Sequence, residues 1–168
     1  MTGMGAAAEA APKEILSHVK GYTGYAHRGQ RRRSDELLRA HLISRLEGVA
    51  RRLDGAARRG TPELAEPLSS LHRKLTTICE GLHAPGYLES AFFESTSLSP
   101  QVLASLYAHE VTLLVEMSSL DEELADLEVG TLTEADVQER TLRMSDSVDA
   151  LNQALFERES LLMGDVAE

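Results

Sequence analysis

The chain has 168 residues, a net charge of −10, a single cysteine, no tryptophan, three phenylalanines and four tyrosines. That length supports one core of ordinary size without a metal or disulfide to hold it together. A lone Cys79 excludes an internal disulfide framework and a cysteine-based zinc site, and no apolar run approaches the ~18 residues of a membrane span. Few aromatic residues and many Leu, Ala, Glu and Arg favour helices packed on aliphatic seams over a β-sandwich.

The net charge conceals a division. Residues 1–83 carry 14 Lys and Arg against 9 Asp and Glu, whereas residues 84–168 carry 3 against 18. Asymmetry of this kind points either to charged partners or to two parts of one fold that attract each other, and the second is the plainer reading.

Residues 1–33 read as a flexible N-terminal segment, with small residues first and no basic-then-apolar secretion pattern. A short helical stretch is expected from Lys13 to Lys20. The segment from Lys20 to Arg33 has three glycines between residues 21 and 30 and no helical period, so it is predicted as a loop. It combines Lys20, Tyr22, Tyr25, Arg28, Arg31, Arg32 and Arg33. Arginine with tyrosine suits phosphates, stacked bases and acidic peptide segments, so these seven residues form the candidate partner- or anion-binding set. No catalytic residue or metal ligand is assigned.

Four long helices are predicted after this loop, in two hairpins over about residues 34–59 and 61–82, then 99–129 and 133–163. The first opens at Ser34 as a cap and carries Leu38, Leu42, Leu46, Val49 and Leu53 on one stripe. Gly48 and Gly55 interrupt it at about 1 kcal/mol each relative to alanine, which suggests close approach of another helix. The joint Thr61-Pro62 restarts the chain at once, and Leu64, Leu68, Leu71, Leu75, Ile78 and Leu82 then give a heptad seam.

The connection from Ala84 to Leu98 holds Tyr87, Phe92 and Phe93 and is expected to fold over one end as a cap. Ser99-Pro100 begins the third helix, whose seam runs Leu103, Leu106, Glu110, Leu113, Met117, Leu120, Leu124 and Leu127. Thr133 and Asp136 resemble a capping box ahead of the fourth, which carries Val137, Thr141, Met144, Val148, Leu151, Leu155 and Leu162. At ~1.5 Å per residue the second hairpin's helices reach ~45 Å against ~39 and ~33 Å for the first, so an apolar overhang is expected. The domain organisation is a segment at 1–33, a helical bundle at 34–164 and a tail at 165–168.

Metal chemistry is the usual question for such a bundle. Glu80 and His83 form the one Glu-x-x-His unit, at a helix end, and Glu110 is a single carboxylate on a seam. A carboxylate so placed is more often a registry device or the pair of a buried arginine than a metal ligand. Phosphate-loop, Gly-x-Ser-x-Gly and His-Glu-x-x-His signatures are absent, and no cofactor is expected. The expectation is an all-α, antiparallel four-helix bundle of two hairpins in the cytoplasm. It would act as a non-enzymatic interaction or assembly module with surfaces of opposite charge. Its partners would be another protein or further copies of the chain. A nucleic-acid-binding regulator using the basic half is the alternative, opposed by the acidic total, and a metal-dependent bundle enzyme comes after it.

Overall fold

Periodic leucines and well-placed stops give five α-helices in the computed structural model, which describes residues 10–128, 130 and 132–164. They are α1 (Lys13–His18), α2 (Arg31–Arg59), α3 (Pro62–His83), α4 (Pro100–Glu128) and α5 (Glu134–Met163), with 3-10 turns at Arg28–Gln30 and Ala91–Phe93. The described residues are all-helical, without strands. None of these helices is long and apolar enough to cross a membrane. The first nine residues of the segment at 1–33 that is expected to be flexible, and the tail at 165–168, lie outside the described residues.

The helix boundaries follow the local chemistry closely. Thr133 and Asp136 cap α5 reciprocally: the Thr133 N–H donates to Asp136 Oδ2 at 3.1 Å and the Asp136 N–H to Thr133 Oγ1 at 3.2 Å. Ser99 Oγ accepts the Val102 N–H at 3.1 Å at the start of α4. Pro67 lies inside α3 without ending it. Thr61 differs from expectation, since its side chain makes no cap and its carbonyl accepts the Leu64 and Ala65 N–H groups instead.

The start of α2 also differs. It begins at Arg31, because the 3-10 turn at Arg28–Gln30 runs directly into helical backbone. Ser34 therefore lies inside the first turn, where its hydroxyl accepts the Thr23 N–H at 3.3 Å. With 29 residues α2 equals α4, so of the expected difference in length only the 22-residue α3 remains short.

The chain divides into two compact units. The first comprises residues 10–41, 85–114 and 154–164 of the described chain, and the second 42–84 and 115–153. In the first unit no residue of α3 takes part. Ile15 and Val19 from the N-terminal segment pack there, with Tyr87, Phe92 and Phe93 from the connection and Leu38, Leu103, Leu106, Tyr107, Leu113 and Leu162 from the long helices. Every aromatic residue of the chain belongs to this unit, and all but Phe156 are buried.

The second unit is aliphatic. Leu42, Leu46, Val49 and Leu53 of α2 contribute to its core with the full seam of α3, with Met117, Leu120 and Leu124 of α4, and with Met144, Val148 and Leu151 of α5. Cys79 is buried among them. Its charges sit at the surface in pairs joining the basic and acidic parts of the sequence. Arg45 pairs with Asp121, Arg52 with Asp121 and Glu128, and Lys74 with Asp149. Arg140 meets Glu123 and Asp126 as well. Much of the acidic run from Asp121 to Glu128 is thus matched within the unit.

Candidate functional site in a buried arginine and tyrosine network

Interior charge is the feature of the first unit that apolar packing does not explain. A charged group taken out of water is stable only when paired and hydrogen-bonded. Here Arg31, Asp35, Glu110 and Arg158 are all buried, with exposures of 2% or less.

Arg158, from the last turns of α5, is the hub. Its Nε donates to Glu110 Oε1 at 2.9 Å, Nη1 to the Tyr87 hydroxyl at 3.0 Å, and Nη2 to the Tyr25 hydroxyl at 3.0 Å and Asp35 Oδ1 at 2.7 Å. The two tyrosines pass on what they receive. Tyr25 donates to Glu110 Oε1 at 2.6 Å and Tyr87 to Asp35 Oδ1 at 2.7 Å. Two closed triangles, each of arginine, tyrosine and carboxylate, thus share one guanidinium. Tyr22 donates to the other Glu110 oxygen at 2.5 Å, and Arg39 to the other Asp35 oxygen at 2.9 Å. A planar group with five fixed donors can satisfy this pattern, whereas a lysine cannot.

Proton affinities follow from the geometry. Burial raises the tyrosine hydroxyls at 22 and 25, and the nearby Glu110 carboxylate adds to it. Burial likewise pushes Tyr87 up to about 12, with Arg158 and Asp35 acting on it in opposite directions. At Asp35 burial acts upward, but the Arg158 charge and hydrogen bonds from Arg158, Tyr87 and Arg39 outweigh it and hold the carboxyl below its ordinary value. Burial disfavours the charged Arg158, yet its tyrosine and carboxylate neighbours raise its pKa above the usual arginine value.

Arg31 is a second buried guanidinium, and it uses carbonyls alone. Nε donates to Tyr25 O at 2.8 Å, and Nη1 to Phe92 O at 2.8 Å and Ser95 O at 2.9 Å. It ties the N-terminal segment and the connection to the first turn of α2, with its charge 5.7 Å from the Phe92 ring centre. Burial, with Arg28 nearby, pulls its pKa down. Gly24 lets the segment fold back: its φ is +82°, and a Cβ there would stand 2.5 Å from the Tyr107 hydroxyl. That hydroxyl accepts the Tyr25 N–H at 2.9 Å.

The seven residues singled out from the sequence therefore separate. Tyr22, Tyr25 and Arg31 are interior, while Lys20, Arg28, Arg32 and Arg33 are exposed. Arg28 and Arg32 share Glu94 at 2.9 and 3.0 Å, and Arg32 also lies over the Phe93 ring at 4.8 Å. Arg33 pairs with Glu36 on its own helix. As an outward surface the segment keeps four of the seven, because glycine turns direct the tyrosines inward. Asp35, Tyr107 and Arg158 belong to no candidate set read from the sequence, and Tyr87 enters that reading only as part of the connection expected to cap one end. Glu110 did carry a signal, as a carboxylate at an apolar seam position.

Among the described residues no three His, Cys, Asp or Glu side chains gather to hold a metal ion. Glu110 is occupied by two tyrosine hydroxyls and Arg158, and Glu80 is exposed on α3. The network's donors and acceptors are directed at one another, which suits positioning of chain segments. Comparison with protein-family models, curated proteins and solved structures finds no match for this chain.

Proposed function

We propose that the chain is a non-enzymatic interaction or assembly module of the cytoplasm, an antiparallel four-helix bundle of two hairpins that associates with further copies of itself. The observation that carries this reading is on α5, where Phe156 is 65% and Met163 55% exposed, one heptad apart on one helix face. Apolar side chains repeated at that spacing are what a second helix covers. The Arg158 network supports it too, since its donors and acceptors satisfy one another in the interior and leave charged and apolar surface for contact. Lys20, Arg28, Arg32 and Arg33 would supply the basic part of that surface and Glu122 an acidic part, both exposed.

Light scattering on the purified protein at low and high salt tests the reading. A mass of twice 18.3 kDa or more that resists salt, and that falls to the monomer in Phe156→Ser/Met163→Ser, is expected. A monomer at every salt and protein concentration contradicts it.

A further inference from the structure

In the second unit, Gly48, Arg51, Arg52, Gly55 and Arg59 of α2 fall at helical spacing and share one face. With Glu128 of α4 they line an open hollow of about 370 Å³. Glycine is costly inside a helix, and neither glycine here is required by a helix packed against it. A Cβ at residue 48 would meet nothing within 4 Å, and one at residue 55 would meet only the Arg59 guanidinium, with Nη1 at 3.3 Å. The close helix contact expected at these glycines is therefore not found. Gly48 leaves an open floor, and Gly55 leaves the place where the Arg59 guanidinium lies.

The guanidinium groups of Arg51, Arg52 and Arg59 are unequally engaged. Arg52 grips Glu128 with both arms, Nε to Oε1 at 2.9 Å and Nη2 to Oε2 at 2.8 Å, the fork geometry that also takes a phosphate. Its Nη1 lies 3.4 Å from Asp121. Arg51 and Arg59 make no hydrogen bond or close ion pair among the described residues, although the Arg59 charge acts on Glu128 from a greater distance. Three cations face one lining carboxylate, and that carboxylate is already bound as an anionic ligand group would be.

We propose that this hollow binds a small phosphate-bearing anion of the pyrophosphate type. Arg51 and Arg59 bind its charge, Arg52 is shared with Glu128, and Glu128 competes for the same guanidinium. The space exceeds that of a single phosphate. A nucleic-acid backbone is disfavoured by the net charge of −10 and by Asp54 and Asp121, paired to Arg58 and Arg45 close by. This site is independent of the assembly reading.

Calorimetric titration of the full chain with sodium pyrophosphate in low-salt buffer tests it. One-to-one binding is expected, weakened about tenfold by Arg51→Gln or Arg59→Gln, the loss typical of a charge-assisted hydrogen bond. Glu128→Gln should tighten binding by removing the competitor, and Gly48→Leu should block it by filling the floor. Circular dichroism checks that each variant keeps its helix content. Shifts of the Arg51 and Arg59 Nε–H resonances on titration of the unaltered protein read the site without any substitution. Absence of heat and of resonance shifts at millimolar pyrophosphate overturns the proposal. So does undiminished binding in the double arginine variant, or a preference for a single-stranded oligonucleotide over pyrophosphate.

Discussion

Arg158 and Asp35 stand 123 positions apart in the chain, and their side chains meet at 2.7 Å inside the first unit, where neither has appreciable contact with water. Such a pair is weak evidence of net stability against an apolar alternative, yet breaking it by removing one partner is costly. Arg158→Met should leave Asp35 and Glu110 buried without their cation and lower unfolding free energy by about 3–5 kcal/mol in urea denaturation. Arg158→Lys should recover little, because an ammonium cannot reach four acceptors at once. Adding Asp35→Asn and Glu110→Gln to Arg158→Met should restore part of the loss. A near-neutral Arg158→Met would contradict the role assigned to the network.

Asp35 sets an expectation for acid. Its carboxyl is held below the ordinary value, so its contribution is fully present above the unfolded pKa of about 3.9 and is lost as pH falls through the lower folded value. Melting temperature should decline below about pH 4, and Asp35→Asn should make that decline shallower. The part that remains belongs to other carboxylates held low by their partners, including Glu94 and Glu128. An acid limb of unchanged steepness in Asp35→Asn would count against the Arg158–Asp35 pair.

Two glycines should respond to alanine in opposite directions. Gly24→Ala combines positive φ with a Cβ 2.5 Å from the Tyr107 hydroxyl, so it should destabilise by more than ~1 kcal/mol and loosen the segment before α2. Gly48→Ala enters open space on a helix and should stabilise by about 0.5–1 kcal/mol. Thermal melts of the two variants should move to opposite sides of the parent.

Cys79 is buried, and its thiol pKa is raised first by that burial and then by Glu47 and Glu80. Alkylation at neutral pH should therefore be slow and should accelerate only with unfolding. Rapid modification of the folded protein would show that the α3 seam opens locally.

The helices were legible because their signals are local. The seam of α3 is buried at every leucine and isoleucine read from its heptads, and the Thr133–Asp136 box is formed as its spacing suggests. At α5 the seam drifts: Leu155 is only partly buried, while Ala154 and Arg158 are interior. A period gives the face of a helix to within a residue, and the buried charges decide which neighbour turns inward. The network was less legible, since apart from Arg39–Asp35 its hydrogen bonds join residues 48 to 133 positions apart and periodicity carries no pairing information. Glu110 was the visible half, as a carboxylate on an apolar seam that reads as a registry device or the pair of a buried arginine. Tyr22 and Tyr25 misled as surface residues, because glycine and basic neighbours mark a loop without showing which side of it faces the core.

All four tyrosines of the chain are buried, and each hydroxyl is held above its ordinary pKa, Tyr107 by burial with Glu110 adding to it. A raised folded pKa gives stability that is present below the unfolded value of about 10 and is lost as pH rises through the folded value. Each withheld ionisation then removes about 1.4 kcal/mol per pH unit until the fold gives way. The most direct test of the interior network is an alkaline titration that follows tyrosinate absorbance and helical circular dichroism together. No tyrosinate should appear near pH 10, and all four should ionise in one cooperative step that coincides with loss of helix. Tyrosines titrating singly near pH 10 while the helices remain intact would contradict a sealed interior around Arg158.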